Sequence, residues 1–436
     1  MAALRSRGRF GISLGLARIE ALLDEFGNPQ RQLRGALVGG TNGKGSVVAL
    51  ARSALQEAGL RIGTMPKPHL VTYRERIAID GEPISRERFA ALLEAVMTAI
   101  DRVTDRLGPP TEFEALTAAA FNELAAAGID LALVEVGLGG RLDATNVLDT
   151  GVAAITNVQH DHEKLLGPTL AAIGGEKAAI IKPRNLAVTG ALGRGLAPIL
   201  ARSAAVGATL RRAGPGQPYD AAVIDTGWDG IVVDAKRPGG ALGGLRVGLL
   251  GSHQAANAAV ALALLDALAE DAVRRGAALP LDDAAIRRGF AAAQWPGRLE
   301  LLRETQIGPV LLDGAHNPAG ARALARALAE LGMRRFPVVF GATRGKRVAA
   351  VLRALAPLEP RPIFTRVEDP TAIPAGELLG RWRRIGAQGG RTAATPNDAL
   401  AVAAELRESP DQPVVVAGSL YLVGAVRGIL LGEVEA

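Results

Sequence analysis

A glycine-rich segment at residues 40–46 has the composition of a loop that binds the phosphates of a nucleotide. Its sequence, GTNGKGS, follows an apolar run and opens a helical pattern. Glycines let backbone N–H groups curl around phosphate oxygens, the helix N-terminus adds positive potential, and Lys44 can reach the β- and γ-phosphates. The segment departs from the Walker pattern, because no glycine lies five positions before Gly43 and because Gly45 separates Lys44 from Ser46. The alternative is a glycine-rich turn that binds nothing.

Glu135 lies at the end of another apolar run, residues 131–136, and is followed by GLGGRLDATN. Open α/β sheets bind ligands at the carboxyl ends of their strands. A carboxylate in such a place is costly unless it is paired or coordinated. The pattern therefore predicts that Glu135 binds Mg²⁺ near the phosphates of ATP. The alternative is an ion pair between Glu135 and Arg141.

Asp161 and His162 follow the next apolar run, residues 152–156, one βα unit after Glu135. The chain has only five histidines, yet a strand-end Asp-His pair is a weak signal alone, and a surface histidine is the alternative.

Lys177, in the segment GEKAAIIK, indicates by itself only a solvated lysine on a helix.

Two polar strand ends occur in the second half of the chain. The segment LDGAHNP spans residues 312–318, and AGSL spans residues 417–420. Two such ends in one sheet predict a binding edge. The alternative is that Asn317 and Ser419 serve only as helix caps, since both are favoured N-cap types.

Alternating strands and helices must position these residues. The β–α alternation predicts a doubly wound α/β fold with right-handed crossovers. Residues 221–250 are broken by glycine-rich turns and predict antiparallel hairpins, with a helix at about 253–268. A second α/β series has predicted strands at 310–312, 338–340, 362–365 and 414–417. A Trp-Pro-Gly turn at 295–297 places the predicted domain boundary there, giving domains at 1–294 and 295–436.

The composition is that of a globular protein of two or three domains: 436 residues, 48% hydrophobic and 22% charged. The net charge of +6 comes from scattered arginines, and no basic stripe with aromatics suggests nucleic-acid binding. The absence of cysteine excludes disulfides, thiolate metal sites and a cysteine nucleophile. The sequence contains no run of 18 apolar residues, so that no membrane span is predicted. Residues 1–23 lack a signal-peptide pattern. We therefore expect a cytoplasmic protein.

Taken together, GTNGKGS, VEVGLGGRLDATN, DGAHNP and GSLYL resemble the folylpolyglutamate synthase/dihydrofolate synthase family of the Mur ligase superfamily, over nearly the whole chain. The resemblance implies an N-terminal P-loop ATPase domain with a mainly parallel sheet, to which the small antiparallel region belongs. It also implies a smaller C-terminal Rossmann-like α/β domain that binds glutamate, with the active site in the cleft between the two. The implied reaction joins L-glutamate to a folate or dihydropteroate carboxylate through an acyl phosphate, with ATP and Mg²⁺. We expect a monomer whose partners are these small molecules, not a nucleic acid or a membrane.

The resemblance also assigns roles to individual residues. Those implied for the nucleotide lie in both halves of the chain: Gly40, Thr41, Asn42, Gly43, Lys44, Gly45, Ser46, Gln254, Asn257, Arg298 and Asp313. Those implied for Mg²⁺ are Ser46, Glu135 and His162. His316 and Ser419 match positions for the incoming glutamate, and Lys177 matches a lysine that CO₂ converts to a carbamate. The residues implied to take part in catalysis are Lys44, Lys177, Asp313 and His316.

Two departures from the family pattern stand out. Lys67, within MPKPHL, occupies the place of a serine that serves the metal region, and the segment Asp369-Pro370-Thr371 lacks the usual arginine. An ammonium cannot coordinate a metal. One hypothesis is that Lys67 supplies charge to an ATP phosphate or to the substrate carboxylate. The alternative is that Lys67 points to solvent and water completes the Mg²⁺ shell.

Three competing functions remain at this stage. The chain could be a Mur-type synthetase acting on a cell-wall precursor, although LDATN and DGAHNP favour a folate. It could be a P-loop switch protein that binds nucleotide without ligating, or an inert scaffold. A requirement of ATP turnover for glutamate would separate a ligase from the last two.

Overall fold

The computed structural model describes residues 15–433, which form two α/β units and one small antiparallel sheet. The strands, in chain order, are β1 Gly35–Gly39, β2 Ile62–Met65, β3 Ala78–Ile79, β4 Glu82–Pro83, β5 Leu131–Glu135, β6 Gly151–Ile155, β7 Leu186–Thr189, β8 Thr209–Arg212, β9 Asp220–Gly227, β10 Gly230–Arg237, β11 Gly240–Val247, β12 Glu300–Leu302, β13 Val310–Leu312, β14 Pro337–Phe340, β15 Arg361–Phe364, β16 Arg391–Thr392 and β17 Val414–Ala417. The α-helices are α1 Ala17–Asp24, α2 Lys44–Glu57, α3 Arg86–Leu107, α4 Glu112–Ala126, α5 Glu163–Leu166, α6 Leu170–Ala178, α7 Ala197–Ala205, α8 Gln254–Arg274, α9 Asp283–Ala292, α10 Pro318–Glu330, α11 Val348–Leu355, α12 Ala375–Arg384, α13 Pro396–Glu405 and α14 Leu420–Leu431.

The first unit is built on an eight-stranded sheet in the order β4-β3-β2-β5-β1-β6-β7-β8. Strands β2, β5, β1, β6, β7 and β8 are parallel, and the short β3 and β4 are antiparallel. Strand β1 pairs with β5 on one side and with β6 on the other. The carboxyl ends of these three central strands therefore meet, and each is followed by one of the polar segments identified in the sequence.

Both faces of this sheet are covered by apolar layers. One face packs against α1, α3, α4 and α6 in a cluster that includes Leu22, Val96 and Phe121. The other face packs against α2, α8 and α9 in a cluster that includes Leu50 and Phe290. Strands buried on both faces explain the nearly continuous apolar runs in the sequence.

The antiparallel sheet has the order β11-β10-β9 and packs against the second of these clusters. The hairpins predicted for residues 221–250 are confirmed. The helix after them, α8, extends to Arg274, six residues beyond the end that its sequence pattern indicates. Helix α2 begins at Lys44, directly after its N-cap Gly43, which has a φ of 81°.

The second unit contains a six-stranded sheet in the order β12-β13-β17-β14-β15-β16. All neighbours are parallel except β12 and β13. Helices α10, α11 and α12 cover one face, and α13 and α14 cover the other. The α/β fold with two such units is confirmed, whereas the domain limits 1–294 and 295–436 stay a prediction.

Within residues 15–433, the structure contains no helix that is both long and apolar enough to cross a membrane. Helix α1, Ala17–Asp24, overlaps the later part of residues 1–23. The expectation that no signal peptide is present concerns residues 1–23, of which the first 14 lie outside the described residues.

Candidate active site

The segment 40–46 forms a loop between β1 and α2 whose shape requires glycine at two positions. Gly40 has a φ of 140° and Gly43 a φ of 81°, values that side-chain-bearing residues rarely adopt. A Cβ at Gly40 would lie 1.9 Å from Thr156 Oγ1, and one at Gly43 would lie 2.3 Å from Asn257 Oδ1. The loop is therefore closely packed and accepts only glycine at these two positions, and no side chain caps the N-terminus of the helix that follows.

Side chains and backbone from the end of β6 hold this loop in place. Asn42 N donates to Asn157 Oδ1 at 3.0 Å, and Thr41 N donates to the carbonyl of Asn157 at 3.0 Å. Asn42 Nδ2 donates to Gln159 Oε1 at 2.6 Å, while Thr156 Oγ1 donates to the carbonyl of Asn42 at 2.6 Å. These bonds fix the loop before any ligand binds, which lowers the cost of ordering it around phosphate.

Lys44 and Glu135 lie at adjacent strand ends and face each other. Lys44 Nζ is 3.6 Å from Glu135 Oε1 and also donates to the carbonyls of Gly40 and Thr41 at 3.3 and 3.4 Å. The alternative pairing of Glu135 with Arg141 is wrong, because Arg141 pairs with Glu176 at 3.0 Å. The buried carboxylate of Glu135 thus lies at segment 40–46, which we call the phosphate loop.

The residues present fit a magnesium ion only as a site shared with a ligand. No group of three or more His, Asp or Glu side chains within residues 15–433 is arranged to hold a metal ion. Mg²⁺ usually binds one or two carboxylates and completes its shell with water and substrate phosphates. A single buried carboxylate, Glu135, beside a phosphate loop matches that pattern, and the hydroxyl of Ser46 is buried two residues after Lys44 in the same helix.

Asp161 and His162 follow β6 but differ in their surroundings. The side chain of His162 is 43% exposed, as expected for a surface histidine. Its Nε2 is 3.8 Å from Asp161 Oδ1, and burial lowers its pKa below the usual value. Burial acts to raise the pKa of Asp161, but Lys346, His162 and His316 outweigh burial, so that the net direction is downward. Asp161 is therefore the fixed anion of this pair.

Lys177 is buried, and its reading as a solvated lysine is wrong. It is only 4% exposed, and its Nζ donates to the carbonyl of Gly40 at 3.0 Å. Burial is the main cause that lowers its pKa, to about 7, and the positive charge of Lys44 adds to the effect. A substantial fraction of this side chain is consequently the neutral amine at neutral pH.

Gln254 and Asn257 lie at the start of α8, next to the phosphate loop. Both are buried, and Asn257 Nδ2 donates to Gln254 Oε1 at 2.7 Å. Trp295 covers the loop from another side, because a Cβ at Gly45 would lie 2.5 Å from its indole ring. This packing explains why glycine separates Lys44 from Ser46, the feature that departs from the Walker pattern.

Asp313 directly follows β13 in the second sheet, and each of its carboxylate oxygens accepts from a backbone N–H. Leu299 N donates to Asp313 Oδ2 at 3.0 Å, and Ala315 N donates to Asp313 Oδ1 at 2.9 Å. Burial raises the pKa of Asp313, while Arg298 acts in the opposite sense. The guanidinium of Arg298 lies over Gly314, where a Cβ would be 2.2 Å from its Nη1. Arg298 and Asp313 therefore lie close together at this strand end.

His316 and Ser419 follow the neighbouring strands β13 and β17. His316 Nδ1 lies 2.8 Å from the carbonyl of Gly314, and burial, with Lys346, lowers the pKa of His316 to about 4. The imidazole is thus neutral at neutral pH, and since Nδ1 faces a carbonyl it carries the proton. Nε2 is left as an acceptor. Ser419 caps α14 by accepting from Tyr421 N at 3.2 Å, so the capping alternative describes its present contact.

Asn317 caps a helix and also joins the two units. Its Oδ1 accepts from Gly320 N at 2.8 Å at the start of α10. Its Nδ2 donates to Asn42 Oδ1 at 3.2 Å and to Asp161 Oδ2 at 3.0 Å. The expectation that Asn317 is only a cap is therefore wrong. The nearby Lys346 Nζ is 3.7 Å from Asp161 Oδ1 and adds a second link across the cleft.

Lys67 does not simply point to solvent. Its ammonium is 3.5 Å from the centroid of the Phe113 ring, and its backbone N–H donates to Glu135 Oε2 at 3.2 Å. Burial lowers the pKa of Lys67 to about 8, with Asp143 acting against it. The backbone of Lys67 thus contacts the same carboxylate that faces Lys44.

Several residues of the site were not singled out in the sequence. Thr156, Asn157 and Gln159 directly follow β6, and a polar run after an apolar strand could have identified them. Lys346 lies in a loop after β14 and carries no local signal, because its importance depends on the way the two units face each other.

Comparison with known proteins identifies both units. A family model described as the Mur ligase middle domain matches residues 38–265, and one described as the C-terminal domain of dihydrofolate synthetase matches residues 299–430. A dihydrofolate synthase/folylpolyglutamate synthase of Bacillus subtilis (strain 168) is 34% identical over 431 residues, covering 97% of this chain and 96% of that protein.

Two further relatives come from Mycobacterium tuberculosis. A dihydrofolate synthase/folylpolyglutamate synthase of strain ATCC 25618 / H37Rv is 37% identical over 447 residues, covering 95% of this chain and 90% of that protein. A solved structure of a folylpolyglutamate synthase complexed with ADP superimposes with a TM-score of 0.87 at 36% identity, covering 98% of this chain and 96% of that one. The similarity therefore includes both units and the cleft between them.

Proposed function

This chain belongs to the dihydrofolate synthase/folylpolyglutamate synthase family of Mur-type ligases, and we propose that it uses ATP to join L-glutamate to the carboxylate of dihydropteroate, of a reduced folate, or of both. We also propose that residues 1–294 bind ATP and that residues 295–436 bind glutamate. The observation that carries the proposal is the two hydrogen bonds of Asn317 Nδ2, to Asn42 and to Asp161. They hold the polar strand ends of the second sheet against the phosphate loop of the first.

The reaction needs ATP because a carboxylate is a poor acyl donor. Transfer of the γ-phosphoryl group to the carboxylate gives an acyl phosphate and ADP. The amine of glutamate then attacks the acyl carbon, and the tetrahedral intermediate collapses to an amide and phosphate. Closing the cleft excludes water, which would otherwise hydrolyse the acyl phosphate.

The nucleotide is assigned to the phosphate loop, Gly40 to Ser46, with Gln254 and Asn257 beside it. The ammonium of Lys44 offsets charge on the β- and γ-phosphates, and Arg298 with Asp313 completes the contacts from the second unit. Mg²⁺, held by Glu135 with His162 and Ser46, would neutralise charge on the transferring phosphoryl group. The open backbone N–H groups at the start of α2 support this assignment.

The incoming glutamate is assigned to His316 and Ser419 at the edge of the second sheet. The neutral imidazole offers Nε2 as an acceptor for the amino group. Its low pKa makes His316 a weak base, so its part is to orient the amine and not to hold a full proton. Ser419 can turn its hydroxyl to the glutamate because its cap bond uses only one oxygen lone pair.

Lys177 is proposed to carry a carbamate. The neutral amine attacks CO₂, forms an N–C bond and releases one proton, so that an uncharged side chain becomes an anion. A pKa near 7 supplies the neutral amine, and the position against Gly40 puts the new anion at the phosphate loop. An anion there suits a nearby Mg²⁺ far better than an ammonium does.

The test is an assay of phosphate release with dihydropteroate and with tetrahydrofolate in turn, each with and without glutamate. We expect turnover that requires both the pterin acceptor and glutamate. Turnover with a muramoyl nucleotide instead would favour the cell-wall synthetase, although the match to a dihydrofolate synthetase C-terminal domain already weighs against it. Turnover without glutamate would favour a nucleotide switch.

The same proposal extends to assembly and location. Both halves of the cleft come from one chain, which supports a monomeric active unit. ATP and L-glutamate are both abundant in the cytoplasm, and we place the enzyme there.

A further inference from the structure

The ammonium of Lys67 lies against an aromatic ring. It faces Phe113, with Nζ 3.5 Å from the ring centroid. Within residues 15–433 no carbonyl or carboxylate oxygen makes a hydrogen bond or an ion pair with this Nζ. An ammonium has three protons to donate and no acceptor capacity. A cation stacked on an aromatic ring and still lacking an acceptor is suited to an anionic ligand.

The surroundings hold this ammonium in one place. The backbone N–H of Lys67 is tied to Glu135 Oε2 at 3.2 Å, and the flanking Pro66 and Pro68 restrict the local backbone. A Cβ at Gly137 would lie 2.1 Å from Lys67 Nζ, so the ammonium occupies the space that a side chain at 137 would need. The lysine is therefore directed into the cleft and not merely tethered there.

Neither neighbouring carboxylate supplies the missing acceptor. Asp143 Oδ1 accepts from the backbone N–H and the hydroxyl of Thr145, and Oδ2 accepts from Leu138 N at 2.7 Å. Glu135 turns its Oε1 toward Lys44, at 3.6 Å. Both carboxylates are engaged elsewhere, and they lower the positive potential around Lys67 without neutralising its charge.

A carboxylate of the acyl substrate fits this position better than a phosphate of ATP. Lys67 follows β2, and the carboxylate of Glu135 lies between Lys44 Nζ and the backbone N–H of Lys67. A phosphate would have to pass this anion, whereas the acyl carboxylate must approach the γ-phosphate from outside the loop. Two anions that must meet repel each other, and a fixed cation beside their meeting point reduces the repulsion.

We propose that Lys67 binds the reacting carboxylate of the acyl substrate and holds it beside the phosphate loop, a role that the serine of related proteins cannot fill with charge. This role rests on the proposed ligase function. Lys67 is then the residue of this chain that recognises the ionised state of the acceptor.

The experiment compares binding of the acceptor with binding of its carboxamide. The acceptor is dihydropteroate or tetrahydrofolate, whichever supports ATP turnover by the wild type, and titrations are done with ADP present and glutamate absent. Lys67→Met keeps the length of the side chain and removes its charge, and Lys67→Arg keeps the charge. The matched control is Lys236→Met, which removes an exposed lysine from β10.

We expect Lys67→Met to weaken binding of the carboxylate about 10- to 100-fold, the range for loss of a charge-assisted hydrogen bond. Binding of the carboxamide should change by less than about twofold, because it carries no charge for Lys67 to recognise. The affinity for ADP should stay at the wild-type value, which also shows that the variant is folded. Lys67→Arg should retain most of the affinity, and Lys236→Met all of it.

Three results would overturn the proposal. Unchanged binding of the carboxylate by Lys67→Met would make the lysine a bystander. Equal weakening of carboxylate and carboxamide would make it a packing residue, and weakening of ADP alone would assign it to the nucleotide. A wild type that binds neither acceptor would contradict the proposed function as well, which separates the two failures.

Discussion

Replacing Asn317 by aspartate separates its role as a helix cap from its role as a bridge. Asp is as good an N-cap as Asn, so the bond from Gly320 N is kept. The two donors of Nδ2 are lost, one to a neutral oxygen of Asn42 and one to the carboxylate of Asp161. The new carboxylate also faces Asp161, which has the same charge.

The size of the effect follows from these two bonds. A neutral hydrogen bond contributes about 0.5–1.5 kcal/mol and one to a charged group about 1.5–3 kcal/mol. Asn317→Asp should therefore weaken the contact between the units by about 2–4.5 kcal/mol, which corresponds to a loss of roughly 30- to 2,000-fold in the closed population. We expect kcat/KM for glutamate to fall within that range, with the KM for ATP changed less.

The measurements are steady-state kinetics and small-angle X-ray scattering with ADP bound. The control is Thr395→Ala, which removes the cap of α13 away from the cleft. It should lower stability by about 1 kcal/mol and leave kcat/KM unchanged. An Asn317→Asp enzyme with wild-type kinetics, or a Thr395→Ala enzyme with the same kinetic defect, would refute the bridging role.

Three further outcomes are expected. Lys44→Ala should lower kcat at least about tenfold in the phosphate-release assay, because no other cation replaces its contact with the γ-phosphate; a smaller loss would contradict the phosphate-loop assignment. Lys177→Ala should lose activity that short carboxylic acids restore, measured as kcat against acid concentration; normal activity, or density for an unmodified lysine in an ATP-bound crystal grown with bicarbonate, would exclude the carbamate. Gly40→Ala should abolish ADP binding in calorimetry, since its Cβ would meet Thr156 Oγ1 at 1.9 Å.

The sequence predicts the strand ends of this protein better than the contacts between them. Apolar runs followed by glycine or polar residues located the loop at Gly40 and the carboxylate at Glu135, because a buried parallel strand and its polar end leave a local pattern. The same pattern predicts that His316 and Ser419 lie on one edge of the second sheet. Local patterns are sufficient wherever a strand determines the position of a residue.

Contacts between the two units left no such pattern. The sequence places Asn317 in a predicted binding edge, with a helix cap as the alternative. Its bonds to Asn42 and Asp161 could not be predicted, because these partners lie 275 and 156 residues away in the chain. The sequence of the helix alone indicates a solvated Lys177. Its burial could not be predicted locally, because tertiary packing decides which lysine of a short helix is buried. The sequence also allowed an ion pair between Glu135 and Arg141. The structure excludes this pair, because Arg141 pairs with Glu176.

Trp295 gives this protein a built-in optical reporter. Its indole packs on Gly45 at the start of the phosphate-loop helix, at the turn that links the two units. The chain has only three tryptophans, and Trp228 and Trp382 pack instead against the core of the second unit. The emission of a single residue therefore reports on the surroundings of the nucleotide loop. With the other two replaced by phenylalanine, opening and closing of the cleft can be followed in real time without attaching a dye.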